Sequence, residues 1–513
     1  MDPVSASIAA LTLLLDPKII ALMLVASVFG IFVGAMPGLT ATMAIALLVP
    51  ITFSLDPVAA FAVIVTSTAM AIFAGDIPGV LMRIPGTPAS AAYTEEAYAM
   101  TKKGQGAFAL GTCVTTSVIG GLFGTAVLMV AAPGIASFAV KFSSFEYLWL
   151  GLLGLTASIF VAGSSLLKSM IAMILGLLVG CIGIDIAVGH PRFTYGEKNL
   201  LDGVNFIPAM IGLFAFTEVL RFALKPNTHG GETHRADGPI FKGQGALLWK
   251  YRWNLLRGSS IGTFIGALPG AGADIAAWVT YGIGRRFSKE PEKFGTGHAE
   301  GLVDAGAANN AAISGAWIPA LVFGIPGDSV TAIAIGVLYM KGLTPSPMIF
   351  QTQAPLVYSI FWAFIIANLM MWPLAWLAIK SSGKILNTPR NVLMPIIFLF
   401  CMLGSYAINN SFFDVGVMLV FGLIGFVLEE NDYPVAPVIL GLVLGRMIED
   451  HFTTSMMKAS GNWLAFVDRP IAAVLAICTL AVWASFIWRG LRPMFGKTTA
   501  TDKTTAPENR SAA

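Results

Sequence analysis

One pattern occurs twice inside otherwise apolar sequence, once in each half of the chain. Gly30-Ile-Phe-Val-Gly34-Ala-Met-Pro37-Gly38 is matched by Gly262-Thr-Phe-Ile-Gly266-Ala-Leu-Pro269-Gly270. Each copy is followed by a second punctuated motif, Ile84-Pro85-Gly86-Thr87-Pro88-Ala89-Ser90 in the first half and Ile325-Pro326-Gly327-Asp328-Ser329-Val330-Thr331 in the second. A Pro-Gly pair interrupts a helix, because proline lacks the N–H donor and glycine tolerates almost any dihedral. In hydrocarbon, interrupted backbone survives only where protein buries it or a cavity wets it. Matching interruptions in two halves of a chain therefore point to a midplane solute site of the kind carriers use.

The setting is a membrane. Of 513 residues, 56% are hydrophobic and only 12% charged, against roughly 25% charged in soluble domains. Counting apolar runs against the 20 or so residues that cross a bilayer predicts about ten to twelve spans plus re-entrant pieces. The predicted fold class is an all-α integral membrane protein with two inverted repeats of broken or re-entrant helices.

Seven Lys and Arg residues between Arg221 and Arg257, and five more after Trp488, place the central loop and the C-terminus in the cytoplasm. The chain divides into a first membrane repeat over 1–225, a cytoplasmic basic loop over 226–256, and a second repeat with closing helices over 257–490. A disordered cytoplasmic tail is expected over 491–513. No soluble segment is long enough to hydrolyse a nucleotide, and nothing suggests a nucleic-acid partner. The four cysteines lack CxxC spacing, and there is no HExxH or GxSxG. Chemistry on a covalent bond has no residue set here, so the chain reads as not an enzyme, with no metal and no organic cofactor.

Each motif has a plainer reading beside the functional one. The Gly30/Gly34 and Gly262/Gly266 spacing is also what close helix packing uses. Past each Pro-Gly, Thr40 and Thr42 in the first copy and Asp274 in the second can serve as ligands, and an acid near the bilayer centre needs a partner or a role. Helices restarting after Ile-Pro-Gly direct free N–H groups into the cavity, which is a ready anion site. The alternative is that the hydroxyls merely cap their own backbone. The predicted substrate-binding set is thus Pro37, Gly38, Thr40, Pro85, Gly86, Thr87, Ser90, Pro269, Gly270, Asp274, Pro326, Gly327 and Ser329. Asn309 and Asn310, in a run of small residues, can offer side-chain carbonyls to a cation or can bond between helices. Arg83 is a carboxylate partner or an interfacial anchor. Asn409, Asn410 and Asp414 read as a structured corner between spans.

Gly34-Ala-Met-Pro-Gly-Leu-Thr40, Lys103-Gly-Gln-Gly106, Gly266-Ala-Leu-Pro-Gly-Ala-Gly-Ala273, Ala307-Ala-Asn-Asn-Ala311 and Gly324-Ile-Pro-Gly327 together resemble the large membrane subunit of the tripartite tricarboxylate transporter family. The similarity runs from about Ser27 to Trp463. It implies a multi-pass secondary carrier of the bacterial inner membrane that imports organic di- or tricarboxylates such as citrate. The resemblance also implies a small membrane subunit, a periplasmic solute-binding protein, and a sodium or proton gradient as the driving force. A membrane receptor or scaffold that binds the loaded partner without moving its solute is the alternative. Three stretches depart from the family's usual form. Ala305-Gly306 replaces Pro-Glu, Thr94-Glu95-Glu96-Ala97-Tyr98 replaces a Leu-Asp-Gly-Tyr stretch, and Gly75-Asp76-Ile77-Pro78-Gly79 differs from the common Gly-Gly-Ser type. Which carboxylate is carried is left open.

Overall fold

A computed structural model of the chain describes residues 3–161, 165–185, 189–225, 234–236, 238–386 and 388–495. Among them the architecture is helical, with one two-stranded ladder pairing Gly183–Ile184 with Pro191–Arg192. Seven helices are long and apolar enough to cross a membrane, and five apolar helices of 10–17 residues are shorter. Two of the short ones, Ala41–Phe53 and Ser329–Met340, are the arms that restart after a Pro-Gly interruption.

The starts of the long helices follow from local chemistry. Asp16 and Asp56 cap the helices Pro17–Gly34 and Pro57–Ala74, accepting from the N–H groups of Lys18 and Ala59, with proline at the first helical position of each. The Asn409–Asp414 segment is a corner, as its sequence suggests. Asn410 is left-handed at φ 51°, the Asn409 amide donates to the Asp414 carboxylate at 2.8 Å, and Ser411 caps Phe412–Glu430.

The GxxxG pairs are packing devices, which is the plainer of their two readings. A Cβ on Gly30 or Gly34 would lie 2.5 or 2.2 Å from the carbonyl oxygens of Ser67 and Ala71, so the helix Pro17–Gly34 rests directly on the backbone of Pro57–Ala74. Gly262 and Gly266 meet the carbonyls of Ala308 and Ala312 at 2.5 and 2.1 Å in the same way, seating Arg252–Gly266 on Ala299–Phe323. The two contacts are counterparts, with small residues four apart on both partners. Gly120 and Gly124 of the long helix Gly106–Ala139 clamp Ala299–Phe323 from another side, against Ala307 and Ala311.

The halves also exchange partners. Gly106–Ala139 packs on Ala299–Phe323, and the second half's long helix, Ala354–Leu386, packs on Pro57–Ala74. The short arm Ala41–Phe53 lies against Ser329–Met340, and Gly272–Phe287 lies against Pro88–Ala91. The centre of the molecule is therefore a pair of helices, one per half. The apolar window of Pro57–Met82 is 94% buried, and from Glu300 to Val322 the described residues of its counterpart are all buried.

Within the basic loop, Gln244–Lys250 forms a helix docked on Gly106–Ala139, and Arg252–Gly266 follows it. There the Gln244 amide donates to the Phe108 carbonyl at 2.9 Å. At the other end the last helix runs through Phe495, and the rest of the expected tail, 496–513, falls outside the described residues, as does 226–233 of the basic loop.

Candidate functional site

The four interruptions fall into two matched pairs. At the first pair, Gly38 and Gly270 take left-handed backbone at φ 88° and 78° directly after Pro37 and Pro269. At the second pair the local geometry repeats closely. Arg83 and Gly324 end their helices in the left-handed conformation at φ 60° and 68°. The next N–H groups, of Ile84 and Ile325, each turn back to a proline carbonyl six residues upstream, Pro78 and Pro319, both at 3.3 Å. Each helix thus ends on a left-handed residue with a closing bond one residue wider than the 6→1 bond of a Schellman C-cap, and the following Pro85 and Pro326 cannot extend the helix. The sequence signal for it, Ile-Pro seven residues ahead of each Ile-Pro-Gly (Ile77-Pro78 and Ile318-Pro319), escaped the sequence reading because an interior proline is normally read as a kink.

Beyond each Ile-Pro-Gly the helix restarts with a capping box. Thr87 accepts from the N–H of Ser90 at 3.1 Å while the Ser90 hydroxyl accepts from the N–H of Thr87. Asp328 and Thr331 do the same in the second half, with the Thr331 N–H donating to the Asp328 carboxylate at 2.7 Å. Thr40 likewise caps Ala41–Phe53 through the N–H of Met43. Some of the N–H groups expected to face a solute are thus already bonded to these side chains.

The interruptions meet. A cavity of about 180 Å³ is lined by Thr40 and Thr42 from the first, Thr87 and Pro88 from the second, Asp274 from the third, and Asp328 and Ser329 from the fourth. Asn309 joins them from the centre of Ala299–Phe323. The pieces also hold one another. The Gly86 N–H donates to the Gly75 carbonyl at 3.0 Å and the Gly270 N–H to the Pro326 carbonyl at 3.3 Å, while the Trp278 indole reaches the Pro88 carbonyl at 3.1 Å across the two halves. A Cβ on Gly86 would sit 2.7 Å from Gly75 Cα, and one on Gly327 2.6 Å from Ala316 Cα, so glycine is needed for close approach at both.

Of the predicted site residues, Thr40, Thr87, Asp274, Ser329 and Asn309 line this cavity. Pro37, Gly38, Pro85, Gly86, Ser90, Pro269, Gly270, Pro326, Gly327 and Asn310 do not. The Pro37 carbonyl accepts from Arg390, and Gly38 lies beside Glu218. The Asn310 amide reaches the Met371 sulfur at 3.8 Å, and its carbonyl oxygen is buried without a hydrogen-bond partner. Arg83 is exposed and pairs with Glu95 at 2.9 Å, away from the cavity. Sequence reasoning missed Phe214 and Glu429, which reach the cavity from Phe206–Leu224 and Phe412–Glu430, helices outside the duplicated motifs. Of the three cavity acids, Glu429 is ion-paired with Arg221, which also holds Glu218 at 2.7 Å, and Asp328 caps its own helix. Asp274 faces the Ala89 backbone of the opposite half. Hydroxyls, an amide and two acids that have no basic counter-ion among the described residues therefore share one small polar space. Among the described residues no group of three or more His, Cys, Asp or Glu could hold a metal ion.

Comparison with known proteins gives the remaining findings. The family model described as the tripartite tricarboxylate transporter TctA family matches residues 20–440. The chain is 35% identical over 474 residues to an uncharacterised 52.8 kDa protein of the TAR-I ttuC′ 3′ region of Agrobacterium vitis, covering 91% of this chain and 93% of that one. It is 37% identical over 214 residues to an uncharacterised protein of the TAR-II ttuC′ 3′ region of the same organism, covering 42% of this chain and 88% of that one. No solved structure matches.

Proposed function

From a chain that belongs to the tripartite tricarboxylate transporter TctA family, we propose the membrane-embedded transport subunit of a binding-protein-dependent secondary carrier that imports organic di- or tricarboxylates. The observation that carries this is the convergence of all four helix interruptions on one polar cavity. At about 180 Å³ it is smaller than the roughly 300 Å³ at which drug-sized sites begin, which suits a compact solute.

Its charge favours ion coupling. Thr40, Thr87 and Ser329 offer hydroxyl donors, yet Asp274 and Asp328 place negative charge beside them. An anionic solute entering that space is stabilised only if cations or protons enter with it, so a sodium or proton gradient drives the import. Asn309 and Asn310 lie on the buried central helix as carbonyl ligands for such a cation. The matched interruptions and the exchanged helix partners support two inverted repeats, one bundle rocking against the other for alternating access. The chain sits in the bacterial inner membrane with its basic central loop and C-terminus cytoplasmic. A small membrane subunit completes it, and a periplasmic solute-binding protein delivers the solute.

Proteoliposomes holding this chain and its small partner should accumulate a radiolabelled tricarboxylate from the loaded binding protein when a sodium or proton gradient is imposed. Accumulation no higher than in gradient-free vesicles, with binding-protein docking intact, would favour a non-transporting receptor instead.

A further inference from the structure

Asp76 lies outside the cavity and is wired to it. It is 1% exposed and opens the short helix Asp76–Met82 directly after Gly75. The Tyr93 hydroxyl donates to its Oδ1 at 2.5 Å, and Tyr93 in turn accepts from the amide of Asn309 at 3.0 Å. Asn309 lines the cavity. The chain of contacts therefore runs carboxyl, phenol, amide, cavity, and it crosses from the first half to the second.

The carboxyl's other oxygen is poorly served. Asp76 Oδ2 is buried without a conventional hydrogen-bond partner, as is Asn309 Oδ1, and only the weak thiol donor of Cys113 lies beside the acid. The titratable groups facing Asp76 are Tyr93, just before Thr94–Lys102, and Cys113, on Gly106–Ala139. Among the described residues no Lys, Arg or His acts on it from Pro57–Ala74, Pro88–Ala91 or Ala354–Leu386, the other helices packed on its own. A charged carboxylate held by one hydroxyl and one thiol has no cation to balance it, and burying a charge so poorly served is costly. Binding one proton at Oδ2 removes the charge and leaves Oδ1 to accept from Tyr93.

We propose that Asp76 is a proton-binding site of this carrier, whose proton occupancy is linked to cavity occupancy through Tyr93 and Asn309. The proposal rests on the transport reading above and names one coupling ion within it. One proton enters from water on Oδ2 of the carboxylate, giving the neutral acid, and the same proton leaves when the site turns to the other side; no other bond changes. A solute or ion that bonds Asn309 shifts the amide, then the phenol, then the carboxyl. By linkage, proton binding and cavity binding then alter each other equally.

Infrared spectra of the full-length protein in lipid test this without any transport. Wild-type protein should show a protonated-carboxyl band that moves in D₂O and fades as pH is raised. Asp76→Asn should lose that component, and Tyr93→Phe, which keeps the acid, should shift its position and its titration. Replacing potassium by sodium at constant pH should leave the band unchanged. A wild-type band that Asp76→Asn leaves intact would overturn the proposal, and so would a band that sodium abolishes. Should Asp76→Asn not fold, the Tyr93→Phe shift decides, and its absence also overturns the proposal. Either failure leaves gradient-driven uptake, and hence the transport reading, untouched.

Discussion

Glu96 shows what a single buried carboxylate does in this molecule. It is fully buried on Thr94–Lys102, and it accepts from the N–H groups of Gly295, Gly297 and His298, the last two at 2.7 Å, and from the Tyr281 hydroxyl at 3.0 Å. A segment of the second half is thereby pinned to the first. Glu96→Gln turns an amide donor toward those N–H groups and should destabilise the protein by about 2–3 kcal/mol, the worth of charge-assisted bonds, seen as a lower unfolding temperature of the purified protein. In the sequence Glu96 is only a departure from a familiar stretch, since its partners lie far along the chain. Ser329 and Asp274 were easier to find, because each follows an interruption. If Ser329 donates to a carboxylate, Ser329→Ala should weaken solute affinity by roughly 10–100-fold, the equivalent of one such hydrogen bond, with unfolding temperature unchanged. Unaltered uptake kinetics would remove Ser329 from the site.

At the scale of helices, glycine spacing decides which pairs can touch. Gly266→Ala puts a methyl 2.1 Å from the Ala312 carbonyl, backbone against backbone, so the helices must separate. The overpacking should cost about 1–3 kcal/mol. Gly282→Ala on Gly272–Phe287 meets nothing within 4 Å and should be neutral or stabilising by up to about 1 kcal/mol. Thermal unfolding of the two variants side by side checks the contrast, and equal effects would contradict the packing. This packing was readable because small-xxx-small recurs in both halves. The matched helix ends at Arg83 and Gly324 were not: Arg83, a non-glycine residue in left-handed backbone, carries no local signature, and Pro78 and Pro319 stand inside helices.

At the scale of the whole molecule, duplication made the plan legible. Two pairs of interruptions in corresponding halves called for one shared pocket, and residues just past each of them line one. The duplicated motifs could not reveal the contributors that have no copy in the other half. Glu429 enters at the far end of Phe412–Glu430 with Arg221 as its partner, and Phe214 enters from Phe206–Leu224. Nor could they show that capping boxes at Thr87 and Asp328 use some of the N–H groups otherwise free for an anion. The Lys and Arg residues of the central loop and of the chain after Trp488 are the ground for proposing both on the cytoplasmic side. Reporter fusions at Gly238 and Phe495 should therefore both score as cytoplasmic; opposite scores would contradict that placement.

Carriage through this chain requires that the four separated interruptions share one water-accessible space. Cysteines introduced singly at Thr40, Pro88, Asp274 and Ser329, with the native cysteines replaced, place one probe at each interruption. Labelled in sealed vesicles with a membrane-impermeant thiol reagent, all four should react from the same face, and a gradient that turns the carrier should change their rates together. Probes that react from opposite faces under one condition, or that stay unreactive in lipid, would show that no common cavity exists.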